Sequence, residues 1–109
     1  MMRLGTWLVL CLTLTIQPGH VKRIHDGDTF FLYHVGATDE EGVRLLGVDT
    51  WELNEDRGPE AKAFTVEWIA KGPFRLMACR REKYGRLLAT VSREGVNIAD
   101  ELKARGLGR

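Results

Sequence analysis

Cysteine is scarce in this chain, with only Cys11 and Cys79 among its 109 residues. No Cys-x-x-Cys pair occurs, and the three histidines, at positions 20, 25 and 34, stand at no metal-binding spacing. Structural zinc sites need four cysteine or histidine ligands at short, regular spacings, and disulfide scaffolds need several cysteine pairs. The sequence therefore argues against both a zinc-binding domain and a disulfide framework.

Long apolar runs are also lacking, because the longest, Leu4–Ile16, falls short of the roughly 20 residues that cross a bilayer. With Arg3 in front of it, this run has the layout of a secretory signal peptide. However, no Ala-x-Ala cleavage site follows, and residues 10–16 alternate leucine or isoleucine with cysteine or threonine, which is typical of a strand. Residues 1–20 are therefore predicted to be an apolar leader, either a signal peptide or an extra strand. A signal peptide predicts a secreted or periplasmic protein; without one, a cytoplasmic location is expected.

Net charge is small, at +1, but the charges are unevenly distributed. Residues 21–74 contain 6 Lys/Arg and 11 Asp/Glu, whereas residues 75–109 contain 9 Lys/Arg and 4 Asp/Glu. An acidic part and a basic part in one small domain suit a site that holds a metal ion beside phosphate. The length allows one domain, predicted to span residues 21–109.

The pattern of apolar residues and turn signals predicts five strands and two helices. Asp26-Gly27 is a strong hairpin turn, Pro59 fits the first turn of a helix, and Asn97 fits the N-cap of a second helix. The predicted strands cover residues 21–25, 28–35, 43–48, 74–79 and 87–92, and the helices follow the third and fifth strands. This order predicts an α+β, mainly β fold, specifically a five-stranded Greek-key barrel of the OB type with two helices.

Carboxylates are concentrated at two of the predicted strand ends. Asp28 follows the hairpin turn and Asp49 ends the third strand, so we expect them to meet at one rim. Close carboxylates repel each other unless they share a proton or a cation, and calcium accepts six to eight oxygen ligands. Glu52 is placed to orient or deprotonate a water molecule at such a metal. Taken singly, Asp28 fits a simple turn and Glu52 a solvated loop acid.

Four cationic or aromatic residues could complement that rim. Arg44 and Arg86 offer planar donors for phosphate oxygens and for the charge that develops in a phosphoryl transition state. Lys83 and Tyr84, in a charged turn, could bind or stack on a nucleotide, or merely cover the barrel edge. An isolated surface arginine is ordinarily only solvated, so the prediction depends on the set as a whole.

The order of the motifs resembles that of the staphylococcal (micrococcal) nuclease family, over about residues 21–107. The motifs that carry the resemblance are Asp26-Gly27-Asp28-Thr29, the segment from Arg44 through Asp49-Thr50 to Glu52, Gly58-Pro59-Glu60-Ala61, Tyr84-Gly85-Arg86, and Asn97 with Glu101-Leu102. By that resemblance, Asp28, Asp49 and the backbone carbonyl of Thr50 bind Ca²⁺.

The same resemblance implies the remaining roles. Glu52 corresponds to the family's general base or water-orienting residue, and Arg44 and Arg86 correspond to its phosphate-contacting arginines. Lys83 and Tyr84 fall where the family meets the terminal phosphate of a nucleotide. The implied activity is calcium-dependent endonuclease cleavage of DNA and/or RNA to 3′-phosphate ends, by a monomer without stable membrane association after any leader is removed. The alternative is a catalytically silent module that binds nucleic acid or protein, as in the nuclease-like repeats of Tudor-containing proteins.

Two departures from the family pattern stand out. Trp51 occupies a position where the family usually has proline, which would leave Glu52 less rigidly held and offers an indole that could stack on a base. Family members usually continue into another helix beyond the second one, whereas this chain ends at Arg109. The C-terminal part of the family fold is therefore expected to be missing.

Overall fold

The computed structural model describes residues 10–33 and 40–109. Their elements, in chain order, are β1 (Leu12–Ile16), a 3₁₀ turn (Pro18–His20), β2 (Val21–Asp26), β3 (Thr29–Tyr33), β4 (Glu40–Leu45), α1 (Gly58–Ala70), β5 (Phe74–Arg81), β6 (Leu87–Arg93), β7 (Val96–Asn97) and α2 (Ile98–Ala104). Neither of these two helices is long and apolar enough to cross a membrane. The predicted end of the second strand, residues 34 and 35, and the first nine residues of the leader lie outside the described ranges.

The strands form one mixed sheet in the order β1-β5-β6-β4-β3-β2, with β7 paired to β6. The prediction of a mainly β fold with two helices is confirmed, but its count of five strands is not, because the described chain has seven. All the neighbouring strands run antiparallel except β4 and β6, which are parallel. That parallel pair arises because the chain crosses over through α1 and β5 before β6 is laid beside β4.

Both helices cover the apolar face of the sheet with apolar side chains. Ile98 and Leu102 of α2 are completely buried, and Asn97 caps this helix by accepting a hydrogen bond from the backbone N–H of Ala99 at 2.7 Å. In α1, Trp68 is buried and its ring centroid lies 5.6 Å from that of Phe74. Packing of these apolar faces holds the helices more than intrinsic propensity does.

The third predicted strand has the expected length but lies three residues earlier in the chain, at Glu40–Leu45 instead of residues 43–48. It ends at Leu45, and Leu46 is 44% exposed although the pattern placed it in the sheet. The chain turns here because Gly47 has a φ of +93°, a conformation that residues with side chains rarely adopt. As a result, Asp49 lies on a connection four residues beyond the strand, and Asp28 lies in the β2–β3 turn, because β3 begins at Thr29.

A disulfide bond joins Cys11 to Cys79, and the sequence reasoning missed it. The pairing of β1 with β5 sets Leu12 opposite Ala78, which brings the two cysteines next to each other across the same strands. The alternating pattern of residues 10–16 was the available signal, since it predicted a strand as the alternative to a signal peptide. Cleavage of the leader is not tested by this arrangement and stays a prediction.

We expect the double replacement Cys11→Ala, Cys79→Ala to lower the free energy of unfolding by about 2–4 kcal/mol, because the bond closes a loop of 68 residues in the unfolded chain. Four of the five residues of β1 are exposed, so burial alone holds this strand weakly. Urea unfolding with and without reductant measures the effect. The parent protein should lose stability on reduction and the double variant should not respond; equal curves for both proteins would contradict the expectation.

Candidate active site

The β2–β3 turn holds Asp28 in a buried position, where its carboxylate accepts two hydrogen bonds. Oδ1 accepts from the hydroxyl of Thr29 at 2.8 Å, and Oδ2 accepts from the backbone N–H of Thr50 at 2.9 Å. Gly27 permits this close approach, because a Cβ there would lie 2.9 Å from both Ala61 and Thr50. Thr65 of α1 fixes the turn by donating to the Gly27 carbonyl at 2.7 Å.

A second carboxylate, that of Asp26, is buried beside Asp28. Burial and the neighbouring Asp28 carboxylate raise the pKa of Asp26 to about 6. The imidazole Nε2 of His25 lies 4.0 Å from Oδ2 of Asp26. The turn therefore concentrates negative charge that a bound cation would relieve.

Arg44 is the residue that links the turn to the Asp49 segment. Its Nη2 lies 3.5 Å from Oδ2 of Asp28 and 3.4 Å from Oδ1 of Asp49. Its Nη1 donates to the carbonyls of Leu45 and Val48, at 2.8 and 2.7 Å. The structure thus brings the two predicted metal-binding carboxylates to one guanidinium, which also closes the turn after β4.

The C-terminal residues hold the Asp49 segment, a contribution that the sequence reasoning missed. The backbones of Asp49 and Arg109 exchange two hydrogen bonds of 2.9 Å, and Thr50 forms a β-bridge with Gly108. A Cβ at Gly108 would lie 2.8 Å from the Asp49 carbonyl oxygen, so a glycine is needed there. The guanidinium of Arg109 also lies 3.9 Å from Oδ2 of Asp49.

Arg86 reaches the same site from the β5–β6 turn. Its Nη1 donates to the hydroxyl of Thr29 at 3.2 Å, and that hydroxyl in turn donates to Asp28. Glu82 holds the opposite edge of the guanidinium. Thr29 is therefore a bridge between Arg86 and the carboxylate, and only its place in the Asp-Gly-Asp-Thr motif could have drawn attention to it.

Next to this cluster lies an open groove of about 570 Å³. Its wall includes the four predicted phosphate- and nucleotide-binding residues, namely Arg44, Lys83, Tyr84 and Arg86. The Tyr84 ring is 73% exposed, with the Lys83 ammonium 5.1 Å and the Arg86 guanidinium 5.5 Å from its centroid. An aromatic ring beside two cationic side chains can receive a base and a phosphate together.

Glu52 does not join this groove. Its side chain is exposed in the loop after Thr50 and, within residues 10–33 and 40–109, makes no hydrogen bond or ion pair. The loop itself is ordered by its backbone, since the N–H of Glu52 donates to the Glu55 carboxylate and the N–H of Glu55 donates to the Glu52 carbonyl at 2.9 Å. Of the predicted site residues, Glu52 is the one that the structure leaves apart.

Trp51 is held on two sides. Its Nε1 donates to the Gly106 carbonyl at 2.9 Å, and the Arg109 guanidinium lies 4.3 Å from the centre of its ring. The expected loss of stiffness from the missing proline is thus offset by contacts between the loop and the end of the chain. Stacking of this indole on a base stays a prediction.

The donor atoms fit a hard cation that is also hydrated. Among the described residues, no three carboxylate, histidine or cysteine side chains converge closely enough to hold a metal by themselves. Asp28 and Asp49 nevertheless approach one point, the Nη2 of Arg44, and the buried hydroxyl of Thr50 has no hydrogen-bond partner within the described ranges. Calcium accepts carboxylates together with several waters, so this set fits calcium with water completing its shell.

The fold and the site define a small, mainly β protein whose carboxylates and guanidinium groups border a groove suited to phosphate ligands. The model of the family described as staphylococcal nuclease homologue matches residues 42–109. The chain belongs to this family.

Two curated relatives from Bacillus subtilis (strain 168) are similar over 98 residues each. One, named endonuclease YncB, is 35% identical; the match covers 82% of this chain and 46% of that protein. The other, named SPbeta prophage-derived endonuclease YokF, is 34% identical, with coverage of 82% and 32%. The chain therefore spans less than half the length of either relative.

We expect Gly58→Ala to destabilise the protein by about 1–3 kcal/mol, because an added Cβ forces a shift of the Glu52 loop. That Cβ would lie 1.7 Å from the Glu52 carbonyl oxygen and 2.8 Å from Cα of Leu53. Gly19→Ala is the matched control, because a Cβ at Gly19 meets no atom within 4 Å. Thermal unfolding of the two variants should differ clearly, and equal melting temperatures would refute the proposed packing.

Proposed function

We propose that this protein is a calcium-dependent endonuclease that hydrolyses phosphodiester bonds of DNA and/or RNA and leaves 3′-phosphate ends. The observation that carries the proposal is the convergence of Asp28, Asp49 and Arg44, with Arg86 joined to the same carboxylate through Thr29. The relatives named endonucleases support the same class of reaction. The match covers less than half of each relative, so their activity is extended to the present chain here only as a proposal.

Each site residue is proposed to have a separate role in phosphodiester hydrolysis. A water oxygen forms a bond to phosphorus, the bond from phosphorus to the 5′ oxygen breaks, and the departing oxygen takes up a proton. Glu52 accepts the proton of the attacking water, for which its carboxylate must be free, as its lack of partners in the described chain permits. Arg44 and Arg86 donate to the phosphate oxygens as negative charge grows there. Asp28, Asp49 and the Thr50 carbonyl would hold calcium, which supplies Lewis-acid polarisation of the phosphate when bound.

Lys83 and Tyr84 are proposed to bind the nucleotide beside the reacting phosphate. Both line the groove with Arg44 and Arg86, and both are exposed to an incoming ligand. The proposed substrate is therefore a nucleic acid strand and the proposed acting form is a monomer.

We also infer that the sheet corresponds to the five-stranded OB barrel. The order of strands begins with β1 and ends with β2, which follow each other in sequence with only Gln17 and the turn Pro18–His20 between them. Counting β1 and β2 as two halves of one bent strand gives a closed five-stranded order, with the short β7 as an addition to β6. This inference is supported by the parallel β4–β6 pair, which a simple meander would not contain.

For location, we propose a secreted or periplasmic protein, supported by the disulfide, which persists in oxidising compartments. Cleavage near residue 20 would remove Cys11 and β1 together, so a processed protein that keeps the disulfide must be cut before Cys11. The mass of the exported protein decides between these two forms, and a wholly cytoplasmic, reduced protein would refute the proposal.

Cleavage of denatured DNA with added calcium, compared with a chelator, tests the enzymatic proposal directly. The alternative, a catalytically silent binding module, is favoured by one observation, the position of Glu52 away from the groove. Folded protein that binds an oligonucleotide but shows no calcium-dependent cleavage would establish that alternative.

Calcium plus a nucleotide is expected to raise the melting temperature, since a ligand at a hundred times its Kd stabilises the folded state by about 2.7 kcal/mol. Asp49→Asn should abolish most of this shift, and the variant should fold because the Asp49 side chain is 58% exposed. Asp56→Asn removes an exposed loop acid whose side chain makes no hydrogen bond or ion pair within residues 10–33 and 40–109; it is the control and should keep the shift. A full shift in Asp49→Asn would remove Asp49 from the metal site.

A further inference from the structure

Glu82 makes an unusually complete set of contacts with the turn that carries the phosphate-binding residues. Its Oε1 accepts hydrogen bonds from the backbone N–H groups of Tyr84 and Arg86, both at 3.0 Å. The same oxygen accepts from Nε of Arg86 at 3.1 Å, while Oε2 accepts from Nη2 at 3.0 Å. One carboxylate thus fixes both the backbone of the turn and the guanidinium at its end.

These contacts leave a defined part of Arg86 for a ligand. The edge formed by Nε and Nη2 is occupied by Glu82, and Nη1 lies against Thr29. The terminal nitrogens, each with a second N–H, remain for a phosphate in the groove. Behind the side chain, Gly42 leaves space for it, because a Cβ there would lie 2.7 Å from Cγ of Arg86.

The Glu82 side chain is ionised near neutral pH. The Arg86 guanidinium, assisted by the backbone N–H groups of Arg86 and Tyr84, lowers the pKa of Glu82 to about 2. The side chains of Glu82 and Arg86 are only 15% and 25% exposed, in contrast to the Arg57–Glu60 pair, which is 44% and 59% exposed. Surface pairs contribute little order, whereas a partly enclosed, two-point contact fixes an orientation.

We propose that Glu82 is a positioning residue, which holds the Arg86 guanidinium in the orientation that meets the reacting phosphate. This inference rests on the proposed nuclease function and extends it to a residue that does not touch the substrate. Because Arg86 acts on charge that develops in the transition state, misorientation should lower kcat more than it raises KM.

Glu82→Gln is the informative variant, since the amide oxygen can still accept from the two backbone N–H groups of the turn while the charge and the two-point contact are lost. We expect kcat for denatured DNA to fall by about tenfold or more, with KM changed by less than about threefold. Glu60→Gln is the matched control, because Arg57 contacts Glu60 through the same two nitrogens, at 3.1 and 2.8 Å, away from the groove. It should keep the parent rate.

A double-mutant cycle separates positioning from a merely structural role. In an Arg86→Ala background, Glu82→Gln should lower kcat by less than about twofold, because its partner is already gone. An equal loss in both backgrounds would overturn the proposal, as would a parent-like kcat in Glu82→Gln.

A measurement independent of activity distinguishes failure of this inference from failure of the proposed function. The Arg86 Nε–H should exchange slowly with solvent by NMR in the parent protein and rapidly in Glu82→Gln. If the parent protein cleaves nothing but this contrast is seen, the nuclease proposal fails and the positioning of Arg86 stands. If cleavage is seen and Nε–H exchange is equal in both proteins, the positioning proposal is overturned.

Discussion

Replacing Glu52 with glutamine is expected to slow calcium-dependent cleavage by about 10²-fold or more, while nucleotide affinity changes little. Glutamine keeps the size of the side chain but cannot take a proton from water. Since the Glu52 side chain makes no hydrogen bond or ion pair in the described chain, its replacement should leave the fold unchanged. The chemical step alone should therefore be affected.

Single-turnover cleavage rates and nucleotide-induced melting shifts measure the two properties separately. Glu67→Gln, which changes an exposed acid on α1 away from the groove of Arg44 and Arg86, is the control and should match the parent in both. Parallel losses of rate and binding in Glu52→Gln would mean that Glu52 holds substrate instead of activating water. A parent-like rate would show that the exposed loop takes no part in the chemistry.

Arg44→Lys is expected to lower both the cleavage rate, by about 10²-fold, and the free energy of unfolding, by about 1–3 kcal/mol. The guanidinium donates to two carbonyls through Nη1 and lies against two carboxylates through Nη2. A lysine ammonium keeps the charge but cannot reach all four groups at once. The buried Asp28 would then lose its closest cationic partner.

Urea unfolding and cleavage kinetics on the same preparations test this dual role. Arg75→Lys is an equivalent replacement of an exposed arginine on β5 whose side chain makes no hydrogen bond or ion pair among the described residues, and it should leave both quantities unchanged. A stable but slow Arg44→Lys variant would restrict Arg44 to the phosphate. A destabilised variant with a parent-like rate would instead show that Arg44 only stabilises the turn after β4.

Much of the fold was accessible from local signals. The turn at Asp26-Gly27, the helix start near Pro59 and the cap at Asn97 depend on neighbours within a few residues, and the structure confirms all three. The prediction that the strand includes Leu46 was wrong, because it relied on the apolar character of this residue alone. The chain turns instead at Gly47, which has a positive φ. Local patterns register the kind of residue but not the point where pairing with a distant strand ends.

Contacts between residues far apart in sequence could not be predicted from these local signals. The disulfide between Cys11 and Cys79 depends on β1 lying beside β5, and the support of Asp49 by Arg109 depends on the end of the chain returning to it. The local sequence around one residue of each pair does not identify the other residue. Pairing of this kind is decided when the sheet assembles, because only then are the strand neighbours fixed.

By itself, the sequence determined the types of groups at the site and their order: Asp28, Arg44, Asp49, Glu52 and Arg86. Only the tertiary structure decided which of them meet. Arg44 lies between the two carboxylates because β3 and β4 pair with Thr29 opposite Arg44, whereas Glu52 stays apart because its loop is held to α1 by backbone contacts. Residue chemistry is carried by each position alone, but distances of a few ångströms between positions arise from packing of the whole chain.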